Sequence, residues 1–541
     1  MLSIRIADQP LDLSDDFSLS LNLKSPLFND VGDYSFPFKV PSTVRNRSIL
    51  GWKNRIAATR SIYDTFEGSI RWNGIIIYCG QILIRSASDK TFEGTLYVNK
   101  GNFNYEVKDL VLNKIDIGMK TFASDSDAMD FFNWSLTHYY PEVDFAMPQI
   151  INTDFFDPPA TNPELFAYNH IFPDGLLHNM TSDGQSRTIL IPFLYLKFVL
   201  NTLAENFGYR LQDEFFTSSM ELSRLVVYHS VNLSEVLSGL QQLYYCRFLP
   251  SVKAKEFIAG LEKMFNCSFL VDSLQRVIKI VNNKEVLLRS EVADFSKNIL
   301  SISQEIPEQV LGLRFLMGTD SGDKVYREQL EAEKPITDSI KSAVETFSDI
   351  PPYPFTTIGD IYYVVDTNKW WQLGVLNFLL QWVELPMGPV LTDKFFYKLG
   401  DEKNKVETCF SSLMDYYGVV RCGNLGSENQ KVTPRLFWVN RSNFPGEPQR
   451  LFGCASGYDL SLRYTGGNGL FNSFWNDWAN WLMKDRKYVK IEKQMDFIEL
   501  KSIDFAKRYR INGINYLISE IAVTLNKSSI KSAQLKCFTA P

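Results

Sequence analysis

Apolar and polar residues alternate along much of the first 118 positions, a pattern typical of strands that bury one face. Two runs show it most clearly: Phe17, Leu19, Leu21 and Leu23, then Phe36, Phe38 and Val40. Pro41-Ser42-Thr43 predicts the start of one short helix, and Gly51 is a suitable residue to end it. Thr91–Val98 predicts a further strand. Residues 1–118 are therefore expected to be all-β and to form an N-terminal β-barrel.

The segment Phe505–Leu525 predicts a β-hairpin near the end of the chain. Asn512-Gly513 lies between two β-rich runs, and both residues tolerate the positive φ of a type I′ turn. After the turn the apolar positions change phase at Ser519-Glu520. A one-residue change of phase is typical of a β-bulge, which bends and twists a strand.

Residues 66–84 repeat this segment, aligning without a gap to residues 505–523. Asn73-Gly74-Ile75 matches Asn512-Gly513-Ile514, and Gly80-Gln81 falls on the proposed bulge. One interpretation is that two unrelated hairpins share common turn chemistry. The other is a duplicated β-barrel, with one copy near each end of the chain and the proposed bulge repeated.

The middle of the chain contains two regions with different predicted secondary structure. Residues 119–185 are irregular, with a helix expected over Ser124–His138 and an extended arm over Pro141–Pro163, which contains five prolines. The pattern of residues 186–286 predicts an α/β region. One helix is expected after Pro192, ending at Gly208, and a second at 252–265. Strands are expected at 268–272 and 277–281.

Residues 287–460 are expected to be β-rich around a charged surface insertion at 320–350, with a strand at Ile361–Val365 and a turn leading to Trp370-Trp371. Residues 461–541 combine an amphipathic helix, Leu470–Leu482, with the closing hairpin. The aromatic side of that helix predicts packing against a sheet. The fold class is therefore mainly β with α/β insertions, an α+β protein with two tube-like β-barrel domains and a middle α/β region.

The composition narrows the class of protein. The chain has 541 residues, of which 45% are apolar and 14% aromatic, enough for several cores and for large contact surfaces. A net charge of −6 argues against broad nucleic-acid binding through phosphate neutralisation. No secretion signal or membrane-spanning run is visible, so no stable membrane insertion is expected. Seven scattered cysteines without a CxxC pair predict neither a disulfide framework nor a zinc site.

Candidate chemistry is sparse. The four histidines are His138, His170, His178 and His229, and none has a ligand partner at i+3 or i+4. No nucleophile elbow, P-loop or dinucleotide motif is present, and a turn before the Leu470 helix explains the glycine-rich Thr465–Gly469. Distant carboxylate pairs stay open as an alternative. We expect no catalytic residues, no cofactor and no bound metal.

One basic run stands out in this acidic chain. It contains no acidic residue and consists of Lys39, Arg45, Arg47, Lys53, Arg55 and Arg60. A solvated basic face is one interpretation. The other is a docking patch for an acidic neighbour, and the candidate subunit-interface residues are then Arg45, Arg47, Lys53 and Arg55.

Four stretches resemble tail structural proteins of Bacteroidetes phages and prophages. They are a strand, proline and short-helix run at Leu27–Gly51, a helix ending in Gly-Tyr at Tyr195–Gln212, a Leu-Pro, helix and strand unit at Leu249–Val271, and the aromatic helix with its hairpin at Gly469–Leu525. Together they cover about half of the chain, and each is a loose apolar pattern without a catalytic signature.

The resemblance implies a baseplate-hub or tail-tip protein similar to the N-terminal part of tail-associated lysins. Such proteins form a three-fold ring whose chains each carry two tube-like β-barrels, so that six barrels match a six-fold tail tube. The implied partners are further copies of the chain and other tail proteins, namely tube, distal tail, fibre or spike proteins. Genome DNA would pass as cargo, and assembly in the host cytoplasm would place the protein in the virion.

The chain departs from the lysin part of this family, because it ends at Pro541 with no appended hydrolase or fibrous domain. A non-enzymatic role is therefore expected. The alternatives are a neck or ring adaptor and, from another class, a carbohydrate-binding or carbohydrate-cleaving protein. The carbohydrate-binding alternative requires exposed aromatic side chains, because a surface that stacks sugars must reach solvent. The residues that distinguish it are Trp370, Trp371, Trp475 and Trp478.

Overall fold

The computed structural model describes residues 1–29, 32–55, 65–148, 189–229, 241–305, 468–482 and 486–541. It also describes short pieces between 150 and 179 and, between 312 and 462, separate strands with a few adjoining residues.

The strands are numbered here in chain order. The N-terminal strands are β1 Leu2–Ile6, β2 Gln9–Pro10, β3 Ser18–Lys24, β4 Asp33–Ser35, β5 Phe38–Pro41, β6 Thr65–Trp72, β7 Ile75–Ala87 and β8 Thr91–Val98. The middle strands are β9 Met119–Thr121, β10 Phe145–Ala146, β11 Ile150–Asn152, β12 Ala167–Tyr168, β13 Phe193–Leu194, β14 Arg210–Asp213, β15 Leu225–Tyr228, β16 Gln242–Tyr244, β17 Cys267–Asp272, β18 Val277–Asn282, β19 Val292–Asp294 and β20 Ile299–Glu305.

The remaining strands lie in the last 230 residues. The first set is β21 Gly312–Met317, β22 Glu345–Phe347, β23 Phe355–Ile358, β24 Ile361–Val364, β25 Lys369–Leu373, β26 Leu380–Leu385, β27 Gly388–Pro389, β28 Leu391–Phe396, β29 Glu407–Cys409, β30 Val419–Cys422, β31 Arg435–Asn440 and β32 Leu451–Gly453. The last set is β33 Tyr488–Lys493, β34 Arg508–Ile511, β35 Ile514–Asn526 and β36 Ala533–Thr539.

The described helices are short. They are α1 Val44–Ile49, α2 Asn99–Val107, α3 Asp125–Ser135, α4 Leu196–Asn206, α5 Ala254–Phe265, α6 Asn283–Leu288, α7 Asn476–Asn480 and α8 Phe497–Lys501. A π-helical turn, Phe471–Trp475, precedes α7. The expected helix starts are confirmed at α1 and α3, where Thr43 and Ser124 accept hydrogen bonds from backbone N–H groups of the first turn. No helix among the described residues combines the length and apolar character needed to cross a membrane.

A strongly curled 14-stranded sheet dominates the fold and confirms the mainly β class. It contains β1–β8, β19, β20 and β33–β36, so it joins the two ends of the chain. The predicted hairpins are β6–β7 and β34–β35, and each turns at its Asn-Gly pair with positive φ at both residues. The turn chemistry therefore predicted both hairpins correctly.

The two halves of the sheet have the same strand order. The N-terminal half runs β1, β6, β7, β8, β4 with β5, and β3, whereas the C-terminal half runs β19, β34, β35, β36, β33 and β20. A short helix precedes the hairpin in each half, α1 in the first and α8 in the second. The halves also differ, because β1 is antiparallel to β6 while β19 is parallel to β34, and because β2 and β5 have no described counterpart in the second half. The shared order supports the duplication hypothesis.

The predicted bulge is present in the second half only. The pairing of β35 with β36 shifts between Ile518 and Glu520, as expected. In the first half, β7 pairs with β8 in continuous register through Gly80 and Gln81, and its shift with β8 lies between Ile84 and Ser86. The prediction of a bulge at Gly80-Gln81 is therefore wrong. Close packing there leaves little room, because a Cβ on Gly80 would lie 1.8 Å from the Tyr97 carbonyl oxygen.

Both halves curl back on themselves. In the first, the Leu2 N–H donates to the Lys527 carbonyl oxygen at 2.8 Å, which brings the start of β1 to the end of β35. In the second, β19 and β20 stand at opposite ends of the strand order, yet residues 295–298 connect them. The halves meet where β3 pairs with β35, and one apolar core continues through both.

A second core lies in the middle of the chain and contains α2–α5, β17 and β18. The predicted helices and hairpin of residues 186–286 are confirmed there as α4, α5 and β17–β18. The arm expected over Pro141–Pro163 is partly wrong, because Val143, Phe145 and Met147 are buried in this core. Residues 153–160 and most of the charged insertion at 320–350 lie outside the described residues.

The segment after β3 connects the two cores. Phe28 packs against Trp478, Trp481 and Phe538, with ring centres 5.2–6.1 Å apart. The aromatic helix over Leu470–Leu482 therefore packs as predicted. One strand residue departs from its predicted alternation: Phe36 is exposed because Pro37 separates β4 from β5 and changes the phase.

The paired turns allow a direct test of the duplication. Gly74 and Gly513 both have φ of +83°, and a Cβ at either would contact nothing. Gly74→Ala and Gly513→Ala should each destabilise the protein by about 1–2 kcal/mol, from backbone strain alone. Asn512→Gly should change little, since glycine accepts the same conformation. Urea unfolding of the three variants measures this, and wild-type stability in either alanine variant would contradict the shared turn type.

Candidate functional site

The predicted basic surface surrounds helix α1. Thr43 caps this helix, since its Oγ1 accepts the Asn46 N–H at 3.1 Å and donates to Asp12 Oδ2 at 2.6 Å. The buried Asn46 side chain donates to the carbonyl oxygens of Asp12 and Pro41, at 2.9 and 2.8 Å. The loop that carries Asp12 is therefore held against the first turn of α1.

Arg45 is the predicted interface residue that is best placed to meet a partner. Its side chain is 53% exposed, and its Nη1 lies 4.0 Å from Asp12 Oδ1. An exposed ion pair of this length contributes at most about 1 kcal/mol. Arg45 would therefore lose little free energy if it left Asp12 and paired with a carboxylate of another subunit.

Arg47 is already engaged within the chain. Its Nε donates to Ser42 Oγ and its Nη2 to the Asp89 carbonyl oxygen, both at 2.9 Å. Asn54 adds a hydrogen bond to Asp89 Oδ1 at 3.0 Å. These contacts fix α1 to the turn between β7 and β8, so Arg47 supports the shape of the surface.

The other two predicted interface residues differ from each other. Lys53 is buried, and its ammonium lies 5.3 Å from the centre of the Phe66 ring. Arg55 is exposed and lies 4.5 Å from the Trp52 ring centre, a cation–π contact that orients it. The structure thus leaves Arg45 and Arg55 at the surface. Arg60 lies outside the described residues.

Sequence reasoning missed the acidic residues that the fold brings to this surface. Asp12 reaches Arg45 from the loop before β3, Asp89 reaches α1 from a later turn, and Glu93 lies opposite Lys39 across β5 and β8. No local signal identifies them, because each comes from a strand or loop distant in sequence. The surface is therefore of mixed charge.

The described histidines do not form a catalytic arrangement with one another. His138 is half-buried and stacks on Trp134, and His178 pairs with Asp174 at the surface. His229 is buried, with Nε2 2.9 Å from the Pro192 carbonyl oxygen, and burial lowers its pKa to about 4. His170 lies outside the described residues. Among the described residues, no group of three or more His, Cys, Asp or Glu could hold a metal ion.

The tryptophans expected to distinguish a sugar-binding surface are buried where they are described. Trp475 and Trp478 both lie in the core, and the Trp475 indole N–H donates to the Lys263 carbonyl oxygen at 3.0 Å. They therefore pack the aromatic helix against the rest of the protein. The side chains of Trp370 and Trp371 lie outside the described residues.

A polar cleft of about 490 Å³ separates the large sheet from the middle of the chain. At its edge, Asp33 accepts hydrogen bonds from the Lys24 N–H at 2.6 Å and from Asn99 Nδ2 at 2.8 Å. Burial raises the pKa of Asp33 to about 7, although these hydrogen bonds and the nearby Lys100 oppose the rise. Nearby, Lys100 forms a buried ion pair with Glu262 at 2.6 Å. These contacts connect the two cores, which is a structural role.

Comparison with known proteins adds two distant likenesses. No protein-family profile matches the chain, and no characterised protein sequence matches it. Among solved structures, it is similar to the 43 kDa tail protein of prophage MuSo2 from Shewanella oneidensis, with 6% identity, a TM-score of 0.36, and 99% of this chain and 96% of that chain covered. It is also similar to the tail protein from Neisseria meningitidis MC58, with 7% identity, a TM-score of 0.30, and coverage of 99% and 95%.

The buried His229 makes stability depend on pH in a defined window. The folded pKa of about 4 lies below the ordinary value of 6.5, so between these values the unfolded chain binds the extra proton. Stability should therefore fall as the pH drops from 6.5 to 4, by on the order of 1.4 kcal/mol per pKa unit. His229→Gln should lessen this fall, whereas the control His138→Gln should not. Urea midpoints at several pH values measure it, and equal slopes would contradict the prediction.

Proposed function

We propose that the chain is a non-enzymatic structural protein of a bacteriophage tail. In this role it forms the hub or tail-tip ring that closes the tail tube and anchors other tail proteins. The observation that carries the proposal is the shared strand order of the two halves of the sheet. Each half would act as one tube-like barrel, an interpretation supported by the curl of both halves and by the short connection from β19 to β20.

Two similar halves suit a ring of three chains. Three copies would present six similar surfaces, so the ring could meet a six-fold tube although it contains only three chains. The hairpin tips support this arrangement, because Ile75 and Ile514 hold equivalent positions after the turns and both are half exposed. Exposed apolar residues at two equivalent positions suit a partner that repeats the same contact.

The charge of the chain suits a ring that DNA passes through. The sequence has 62 acidic and 56 basic residues, and a bore that grips phosphates would slow the passage of DNA. We propose that the surface around α1 faces a neighbouring subunit or an acidic tail protein. Arg45 would make the direct contact, with Arg47 holding the surface in shape and Arg55 at its edge.

The mass of the assembly is the primary test of this proposal. The purified chain should have a native mass of three times 62.2 kDa by light scattering, alone or with tube protein. It should also bind assembled tail tube at one ring per tube end. A chain that stays monomeric under both conditions, or that hydrolyses peptidoglycan or polysaccharide through a carboxylate pair, would contradict the proposal.

Charge reversal tests the proposed docking surface. Arg45→Glu should weaken ring assembly or docking by about tenfold, because a carboxylate would face the partner's carboxylate. Added salt should weaken the wild-type contact in the same direction. Lys255→Glu, at an exposed position on α5, is the matched control and should assemble normally. If the Arg45→Glu variant assembles normally in light scattering, this surface faces solvent and is not a docking surface.

A further inference from the structure

We infer that the free edge of β20 pairs with the distal part of β7, Ile84–Ala87, in a second copy of this chain. The contact would be antiparallel and would repeat, between chains, the pairing that joins the two halves within one chain. The inference rests on the proposed ring, and it identifies the strands that close the ring.

The pairing of β3 with β35 is the template. Seven residue pairs run from Ser18 opposite Asn526 to Lys24 opposite Glu520. Leu21 and Leu23 face Val523 and Ile521 across it, and all four side chains are buried. The hydroxyl groups of Ser20 and Thr524 share a hydrogen bond of 2.8 Å. The halves are thus joined by an edge of the N-terminal half and a long strand of the C-terminal half.

The internal repeat identifies the equivalent partners. In the strand order of the two halves, β20 occupies the position of β3, because each is the last strand, next to β33 and to β4 respectively. Likewise β7 occupies the position of β35, since both follow the Asn-Gly turn. The gapless alignment of residues 66–84 with residues 505–523, extended by three residues, places the paired segment of β35, residues 520–526, on residues 81–87 of β7.

The edge of β20 lacks the neighbour that β3 has. Among the strands that the structure describes, β20 pairs only with β33. Ile302 lies opposite the buried Ile491, and therefore on the core side, yet it is 43% exposed. Leu300 is 58% exposed, whereas Leu21 of β3 is fully covered. An added strand would cover the apolar side chain that β20 turns toward the core.

The receiving segment of β7 is accessible in the described structure. The pairing of β7 with β6 ends at Leu83, so Ile84–Ala87 has no described strand on that side. Arg85 in this segment is exposed. The one charged residue of β20, Glu305, forms an ion pair with Lys490 at 2.6 Å, and Arg85 of a second copy would share its carboxylate. In contrast, β2 at the opposite end of the sheet has two residues, one of them Pro10, and such an edge is poorly suited to pairing.

Disulfide trapping tests the contact. Ser86 pairs with Glu93 and Ser303 flanks Ile302, so both serines lie on the face away from the core. In the full-length chain, Ser86→Cys combined with Ser303→Cys should give covalent dimers and trimers under mild oxidation, resolved on a non-reducing gel. Ser86→Cys with Ser301→Cys covers the neighbouring register. The single variants are controls for the native cysteines and should give no covalent species above wild type.

Each result bears on the inference. A Ser303→Cys single variant that dimerises would show β20 pairing with itself and would overturn it. If the native protein is a trimer but neither double variant forms a disulfide between chains, the strand pairing is wrong and the proposed ring is unaffected. A monomeric native mass would contradict both the strand pairing and the ring.

A second variant gives an independent readout. Ile302→Lys should reduce the native mass toward that of one chain, because an ammonium would replace the apolar side chain beneath the added strand. Its matched control is Leu288→Lys, which changes an exposed apolar side chain on α6, away from this edge, and should keep the ring. An intact ring in Ile302→Lys would contradict the inference.

Discussion

The antiparallel pairing of β3 with β35 is the contact on which the rest of the structure depends. It joins residues about 500 positions apart into one sheet and makes the cores of the two halves continuous. Buried backbone N–H and C=O groups must find partners, and these strands supply them to each other. Without the pairing, both halves would expose an apolar edge, which is a site for uncontrolled association.

The same pairing positions the connection to the middle of the chain. The segment that leaves β3 carries Phe28 into the aromatic cluster of Trp478 and Trp481, and it returns through the buried Asp33. The middle core is therefore attached to the sheet by a segment whose start is fixed at the junction of the halves. A shift of β3 would move both contacts together.

The sequence predicted the local elements well and the surface around α1 only in part. Thr43 and Ser124 cap helices as expected, and Asn73-Gly74 and Asn512-Gly513 turn hairpins, because these signals act within four residues of chain. The run of basic residues was visible, but its acidic neighbours Asp12, Asp89 and Glu93 come from distant segments. Whether a cation is exposed depends on those segments, as the buried Lys53 shows.

The sequence by itself determined the mainly β character, both hairpins, and the internal repeat of residues 66–84 and 505–523. Only the tertiary structure decided that the repeats share one sheet, that Phe36 is exposed, and that Gly80 is packed too closely for a bulge. The reason is physical. Turn and cap preferences are energies of adjacent residues, whereas strand order and burial depend on which distant edges and faces meet.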